Sequence, residues 1–157
     1  MRRHFTVTGF VSADGKTALH WHKFGMWLPP GGHIEADEDP VQAVLREVRE
    51  ETGLDVEIVP AGLPFQYGEP PQLPPPAAIG VYDIASDGSL KEPHQHIDLV
   101  YFTRPRRIAL PTTDGWAWVD ATTLRNNVPL APPFGGEAVC IAEDVRELGL
   151  AAIAAVR

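Results

Sequence analysis

Three glutamates, Glu47, Glu50 and Glu51, recur at spacings that bring their carboxylates together if the segment is helical. At about 100° per residue they lie at roughly 0°, 300° and 40° around the axis, so they share one face. Like charges at these spacings repel by about 0.2–0.5 kcal/mol per pair. Glu50 and Glu51 also fall in the last turn, where the helix dipole disfavours anions. Arg46 and Arg49 are near in sequence, but the same projection points both away from the carboxylate face. A divalent cation would resolve the conflict, and clustered carboxylate oxygens are the hard ligands that Mg²⁺ or Mn²⁺ prefers. A three-glutamate face alone is more often a solvated surface, so the flanking residues decide between the two readings.

The helix that must carry these side chains is well punctuated. Asp39 suits the N-cap, Pro40 the first helical position, Gln42 completes a capping-box pattern and Gly53 suits the position just past the end. Val41, Val44, Leu45 and Val48 make its apolar face. Upstream, residues 4–13 and 16–22 read as strands joined at Asp14-Gly15. Pro29-Pro30-Gly31-Gly32 is expected to be irregular, because prolines lack the amide donor and glycines resist regular structure. Downstream, strands are expected over 54–59, 78–85, 96–103 and 116–119, a short helix over 120–124 capped by Asp120, and a longer helix over 136–156. Residues 60–76 hold seven prolines and read as a long loop. No linker divides the chain, so residues 1–157 read as one domain.

Gly32, five residues, Glu38, seven residues, then Arg46-Glu47-Val48-Arg49-Glu50-Glu51-Thr52-Gly53-Leu54 satisfies every fixed position of a Gly-x5-Glu-x7-Arg-Glu-U-x-Glu-Glu-x-Gly-U pattern, where U is bulky and aliphatic. That pattern is the Nudix box, and the sequence resembles a Nudix hydrolase. The approach Trp27-Leu28-Pro29-Pro30-Gly31-Gly32-His33 is also similar to the family's. The resemblance implies an α/β fold, a Nudix-type α/β/α sandwich with a mixed β-sheet. It implies that Glu47, Glu50 and Glu51 bind metal together with the carbonyl of Gly31. Arg46 and Glu38 match a pair that braces the loop against the helix, and Gly32 and Gly53 serve backbone geometry. The implied cofactor is Mg²⁺, with Mn²⁺ as a substitute. The implied reaction is water attack on a phosphorus of a nucleoside diphosphate linked to another group. Family members differ in which carboxylate is the base. Glu50 is the first choice here, Asp114 is the best candidate outside the box and Glu92 stands behind it.

Composition supports metal-mediated handling of an anion. The chain has 13 Lys and Arg against 21 Asp and Glu, a formal charge of −8, and no basic patch of the kind that grips a nucleic acid polymer. No apolar run reaches the about 18 residues of a membrane span. One cysteine, Cys140, excludes an internal disulfide and suits a reducing, cytoplasmic setting. It falls in the predicted C-terminal helix and reads as a buried small hydrophobe.

Phe65 and Tyr67, in the proline-rich loop, are candidates to stack on a nucleobase. His20 with His22, and His94 with His96, have strand spacing, yet neither pair supplies the third ligand of a zinc site locally. They read as polar surface or substrate contacts. The substrate is expected to be a small nucleotide, and the resemblance allows a homodimer. The resemblance also allows two other functions on the same fold. A nucleotide or ADP-ribose sensor without turnover would be favoured by lost box carboxylates, and all three are present. A diphosphate isomerase would need a catalytic cysteine, and Cys140 is placed far from the box.

Overall fold

The computed structural model describes residues 1–107, 111 and 113–157. Among these residues, eight strands and three helices follow in the order β1 (Arg3–Ala13), β2 (Lys16–His22), β3 (Met26–Leu28), β4 (Gly31–His33), α1 (Pro40–Thr52), β5 (Val56–Val59), β6 (Ala78–Ile84), β7 (His94–Pro105), β8 (Trp116–Asp120), α2 (Ala121–Arg125) and α3 (Glu143–Val156). The strands form a mixed sheet with the central path β3-β2-β1-β7-β5, to which β4 adds on β1, β6 on β7 and β8 on β2. Among the described residues, only β1 and β7, the two longest strands, run parallel, with Val7 beside Leu99 and Phe10 beside Phe102.

Side chains alternate across a strand, so β1 and β7 sort their residues between two layers. Val7, Val11 and Tyr101 face α1 and pack with Ala43, Val44 and Val48. Phe10, Val100 and Phe102 face the other way and pack with Leu124 of α2 and Val145, Ala152 and Ile153 of α3. The result is the α/β/α sandwich with a mixed sheet that the resemblance implies. Gly9 makes room for α1: a Cβ there would lie 2.7 Å from Val44 Cγ2 and 2.9 Å from Val48 Cγ2.

α1 forms as its sequence dictates. The Asp39 side chain accepts from the Gln42 amide at 2.8 Å, and the Gln42 side chain accepts from the Asp39 amide at 2.9 Å. Gly53 ends the helix in the left-handed region at φ 74°, and its N–H donates to the Arg49 carbonyl. Three expectations are corrected. Gly31 and Gly32, expected to be irregular with Pro29 and Pro30, lie in the strand Gly31–His33, because β1 offers a ladder that local propensity cannot reveal. The C-terminal helix starts at Glu143 rather than near residue 136; Leu130 and Val139 form a β-bridge in the segment before it. Cys140 therefore lies outside the helix and is exposed, not buried. Among the described residues, no helix is long and apolar enough to cross a membrane.

Candidate functional site

The site begins at the register of β4 on β1. Gly32 lies opposite Val7, Gly31 opposite Thr8 and His33 opposite Thr6. On either side of these pairs, Gly9 N–H donates to the Pro30 carbonyl and Ile34 N–H to the Phe5 carbonyl. In an antiparallel ladder, hydrogen-bonded and non-bonded pairs alternate. Gly31 and His33 therefore aim their backbone polar groups away from β1, at the far edge of β4. That edge is what α1 grips. The Gly31 amide donates to Glu51 Oε2 at 3.1 Å, and Arg46 Nη2 donates to the His33 carbonyl at 3.1 Å. Gly32 has no room for a side chain, because a Cβ there would collide with the Glu47 carboxylate.

Arg46 organises the carboxylates. Its Nε and Nη2 donate to Glu38 Oε2 and Oε1 at 2.8 and 2.6 Å, a two-pronged pairing. Nη1 then reaches Glu47 Oε1 at 2.8 Å and Glu50 Oε2 at 3.2 Å. This corrects the expectation that Arg46 points away from the carboxylates. Helical projection locates Cβ atoms, and a long guanidinium anchored by Glu38 and His33 swings back over the face. Arg49 does turn away, to Asp55 at 3.2 Å.

The electrostatics fit a cation. Burial pushes the Glu51 carboxyl up to about 7, only partly offset by the Gly31 amide. Burial also raises Glu47, against the pull of Arg46. Glu51 has one amide donor and no cationic side chain among its described hydrogen bonds and ion pairs, so a half-buried anion there is short of positive charge. An oxygen-rich set of this kind suits Mg²⁺ or Mn²⁺.

Glu51, Gly31 and Gly32 line a cleft of about 640 Å³. Asp114 lines the same cleft, carried by a segment that Thr113 ties to the end of α1 through a hydrogen bond from its hydroxyl to the Glu51 carbonyl. His20, His22 and Lys23 also line it, while Leu28, Val100, Val145 and Leu148 give it an apolar part. Sequence reading missed Asp98, a buried carboxylate on the cleft that accepts from the Thr6 and Thr8 hydroxyls at 2.8 and 2.7 Å. Only the parallel register of β1 and β7 reveals that grouping. Glu92 lies elsewhere, exposed and 4.0 Å from Arg2. Phe65 and Tyr67 are exposed and stack on each other at 6.4 Å; neither lines the cleft. Cys140 does not line it either.

The chain matches the family model described as NUDIX domain over residues 2–137. It is 36% identical over 104 residues to an RNA pyrophosphohydrolase of Gluconacetobacter diazotrophicus, a match covering 64% of this chain and 60% of that protein. It is 32% identical over 122 residues to the m7GpppN-mRNA hydrolase NUDT17 of Danio rerio, covering 74% of this chain and 38% of that one. The chain thus spans less than two thirds of the length of these relatives. Among solved structures, it is similar in fold to a NUDIX-family hydrolase from Clostridium perfringens, with a TM-score of 0.70 at 24% identity and 100% of both chains covered.

Proposed function

The chain belongs to the Nudix family, and from that premise we propose that it hydrolyses a phosphoanhydride bond in a nucleoside diphosphate linked to another group. The observation that carries this reading is the half-buried, cation-short Glu51 carboxylate on the wall of a cleft, with Glu47 and Glu50 on the same helix face. Glu47, Glu50, Glu51 and the Gly31 carbonyl are the residues that would hold Mg²⁺, or Mn²⁺ in its place. When bound, the ion neutralises the diphosphate and lowers the pKa of the attacking water.

The chain's own groups do the rest. Arg46 fixes Glu47 through its two-pronged grip on Glu38, and the Gly31 amide fixes Glu51. Glu50, the most exposed of the three with 60% of its side chain open, accepts the proton of the attacking water. The water oxygen bonds to phosphorus, the anhydride P–O bond breaks, and the leaving phosphate takes the bond's electron pair. Asp114 faces the same cleft and is the alternative proton acceptor. His20, His22 and Lys23 suit the anionic part of the substrate, and Leu28, Val100, Val145 and Leu148 its less polar part. No substrate contact is assigned to Phe65 or Tyr67.

The charge of −8 favours a small nucleotide over a nucleic acid polymer, and the single cysteine favours a cytoplasmic setting. α3 lies beyond the matched residues yet packs on β1 and β7, so we read residues 1–157 as one domain.

The test is phosphate-linked turnover with Mg²⁺ over a panel of ADP-ribose, NADH, nucleotide sugars, dinucleoside polyphosphates and nucleoside triphosphates, for wild type, Glu50→Gln and Asp114→Asn. A 5′-triphosphorylated oligonucleotide belongs in the panel, because the names of the two relatives refer to RNA. Loss of about 10²–10⁴-fold in kcat with Glu50→Gln and a smaller loss with Asp114→Asn supports the assignment. Binding without turnover across the panel would favour a sensor instead.

A further inference from the structure

Four histidines that lie far apart in sequence, His4, His33, His94 and His96, meet at one end of the sheet. The parallel register sets His4 beside His96. The β4 register sets His33 beside Thr6, the next residue along the same face of β1. His94 lies two residues before His96 and faces the same way. Ring centroids are 5.2 Å apart for His4 and His33, 5.1 Å for His4 and His94, 5.0 Å for His33 and His96, and 5.1 Å for His94 and His96.

Asp87 reaches into this group from the loop before β7. Its Oδ2 lies 3.0 Å from Nε2 of both His94 and His96, and those two nitrogens are 3.3 Å apart. The three atoms form a triangle with edges of 3.0–3.3 Å. An ion with metal–nitrogen bonds of about 2.0–2.1 Å in tetrahedral geometry separates its ligand atoms by about 3.3–3.4 Å. His33 Nε2 stands 3.9 Å from Asp87 Oδ2, and ring nitrogens of His4 fall within 4.8 Å of those of His94 and His96. A fourth ligand is therefore at hand.

The surrounding contacts orient these atoms as the outer contacts of a metal site do. His94 Nδ1 lies 2.8 Å from the Glu92 carbonyl, so it is the donor there, and Nε2 is the atom turned toward Asp87. Asp87 Oδ1 accepts from the Ser89 amide, the Ser89 hydroxyl and the Leu90 amide, each at 2.8 Å, which leaves Oδ2 aimed at the histidines. The His94 side chain is fully buried, and those of Asp87 and His96 are 15% and 18% exposed.

We propose that His94, His96 and Asp87, completed by His33 or His4, bind one zinc-class divalent transition metal on a ligand set distinct from the carboxylates of α1, with His33 and His96 lining the same cleft as Glu51. Imidazole nitrogens with a single carboxylate suit Zn²⁺, Co²⁺ or Ni²⁺ and not Mg²⁺. The ion clamps the Asp87 loop to β7 and to β4 or β1, so its binding energy adds to folding.

The experiment titrates the chelator-treated chain of residues 1–157 with Co²⁺, read by its visible absorption, followed by displacement with Zn²⁺. Wild type and Glu51→Gln each take one equivalent with a tetrahedral-type spectrum. Asp87→Asn, which keeps an oxygen for the Ser89 and Leu90 amides, and His96→Gln weaken binding at least about 100-fold. Histidine ring NMR signals of the wild-type chain give a readout that needs no variant to fold. One equivalent of Zn²⁺ shifts those of His94, His96 and either His33 or His4, and leaves His20 and His22 in place. Unchanged Co²⁺ affinity in both variants, loss of the ion with Glu51→Gln, or zinc shifts confined to His20 and His22 would each overturn the proposal.

Discussion

The Gly31 amide donates to the Glu51 carboxylate at 3.1 Å across the outer edge of β4, so a strand edge, and not a cationic side chain, holds this half-buried anion of the box helix. This follows from the one-residue alternation of the β1–β4 ladder, which assigns Gly32 to Val7 and leaves Gly31 free to face α1. The same alternation turns the His33 carbonyl toward Arg46. Two successive outward-facing residues thus tie the glycine loop to the helix that follows it.

Glu51→Gln separates the cost of the buried charge from its use. Gln keeps an oxygen for the Gly31 amide and removes an anion that burial disfavours. In EDTA the variant is expected to melt no lower than wild type. Mg²⁺ is expected to raise the melting temperature of wild type only, and kcat/KM of the variant to fall at least about 100-fold. Calorimetry with and without Mg²⁺ checks this, and a variant several degrees less stable in EDTA would count against it.

The Arg46–Glu38 fork makes a pH prediction. The Arg46 hydrogen bonds hold the Glu38 carboxyl down at about 2, against an ordinary value of 4.5. A depressed folded-state value means that the stabilisation is present in full above about 4.5 and is lost as pH falls toward about 2. Glu38→Gln should therefore destabilise the fold by about 1–3 kcal/mol near neutral pH, with the gap to wild type closing between pH 4.5 and 2. Urea melts of both proteins over that range would show it, and a gap that stays constant with pH would rule the ion pair out as its source.

How far the sequence could be read depended on how local each cause was. α1 was legible to the residue because Asp39, Gln42 and Gly53 act within their own turn. The box carboxylates were legible because fixed spacing on a helix fixes their angles. β4 was not, since Gly31 and Gly32 have no strand propensity and take their conformation from Val7 and Thr8. The place of the Arg46 guanidinium was not, because a Cβ direction says little about where a long side chain ends. The histidine cluster and Asp98 depend on which strands lie side by side, a relation that no local pattern carries.

Gly9 predicts a coupling between β1 and α1. Alanine there would drive its Cβ into Val44 and Val48, at 2.7 and 2.9 Å from their Cγ2 atoms. Gly9→Ala should cost about 1–3 kcal/mol, since the helix must lift from the sheet. Val44→Ala opens the space, so it should cost less in the Gly9→Ala background than alone, a coupling of about 0.5–3 kcal/mol. Denaturant melts of the four proteins measure the cycle, and additive effects would mean that the helix adjusts without strain.

Cys140 separates hydrolysis from cysteine chemistry. It is exposed, sits between the bridge residue Val139 and the buried Ile141, and does not line the cleft that holds Glu51 and Asp114. A thiol reagent should therefore label it at one equivalent in native buffer, without denaturant. Cys140→Ser removes no buried volume and no cleft group, so its effect on stability should stay within about 0.5 kcal/mol and its turnover should match wild type. An isomerase that used this thiol would lose all activity with the substitution, and a buried thiol would resist labelling until the chain unfolds. Labelling in the native state together with unchanged turnover would leave the carboxylates, and not the cysteine, as the chemical centre of the molecule.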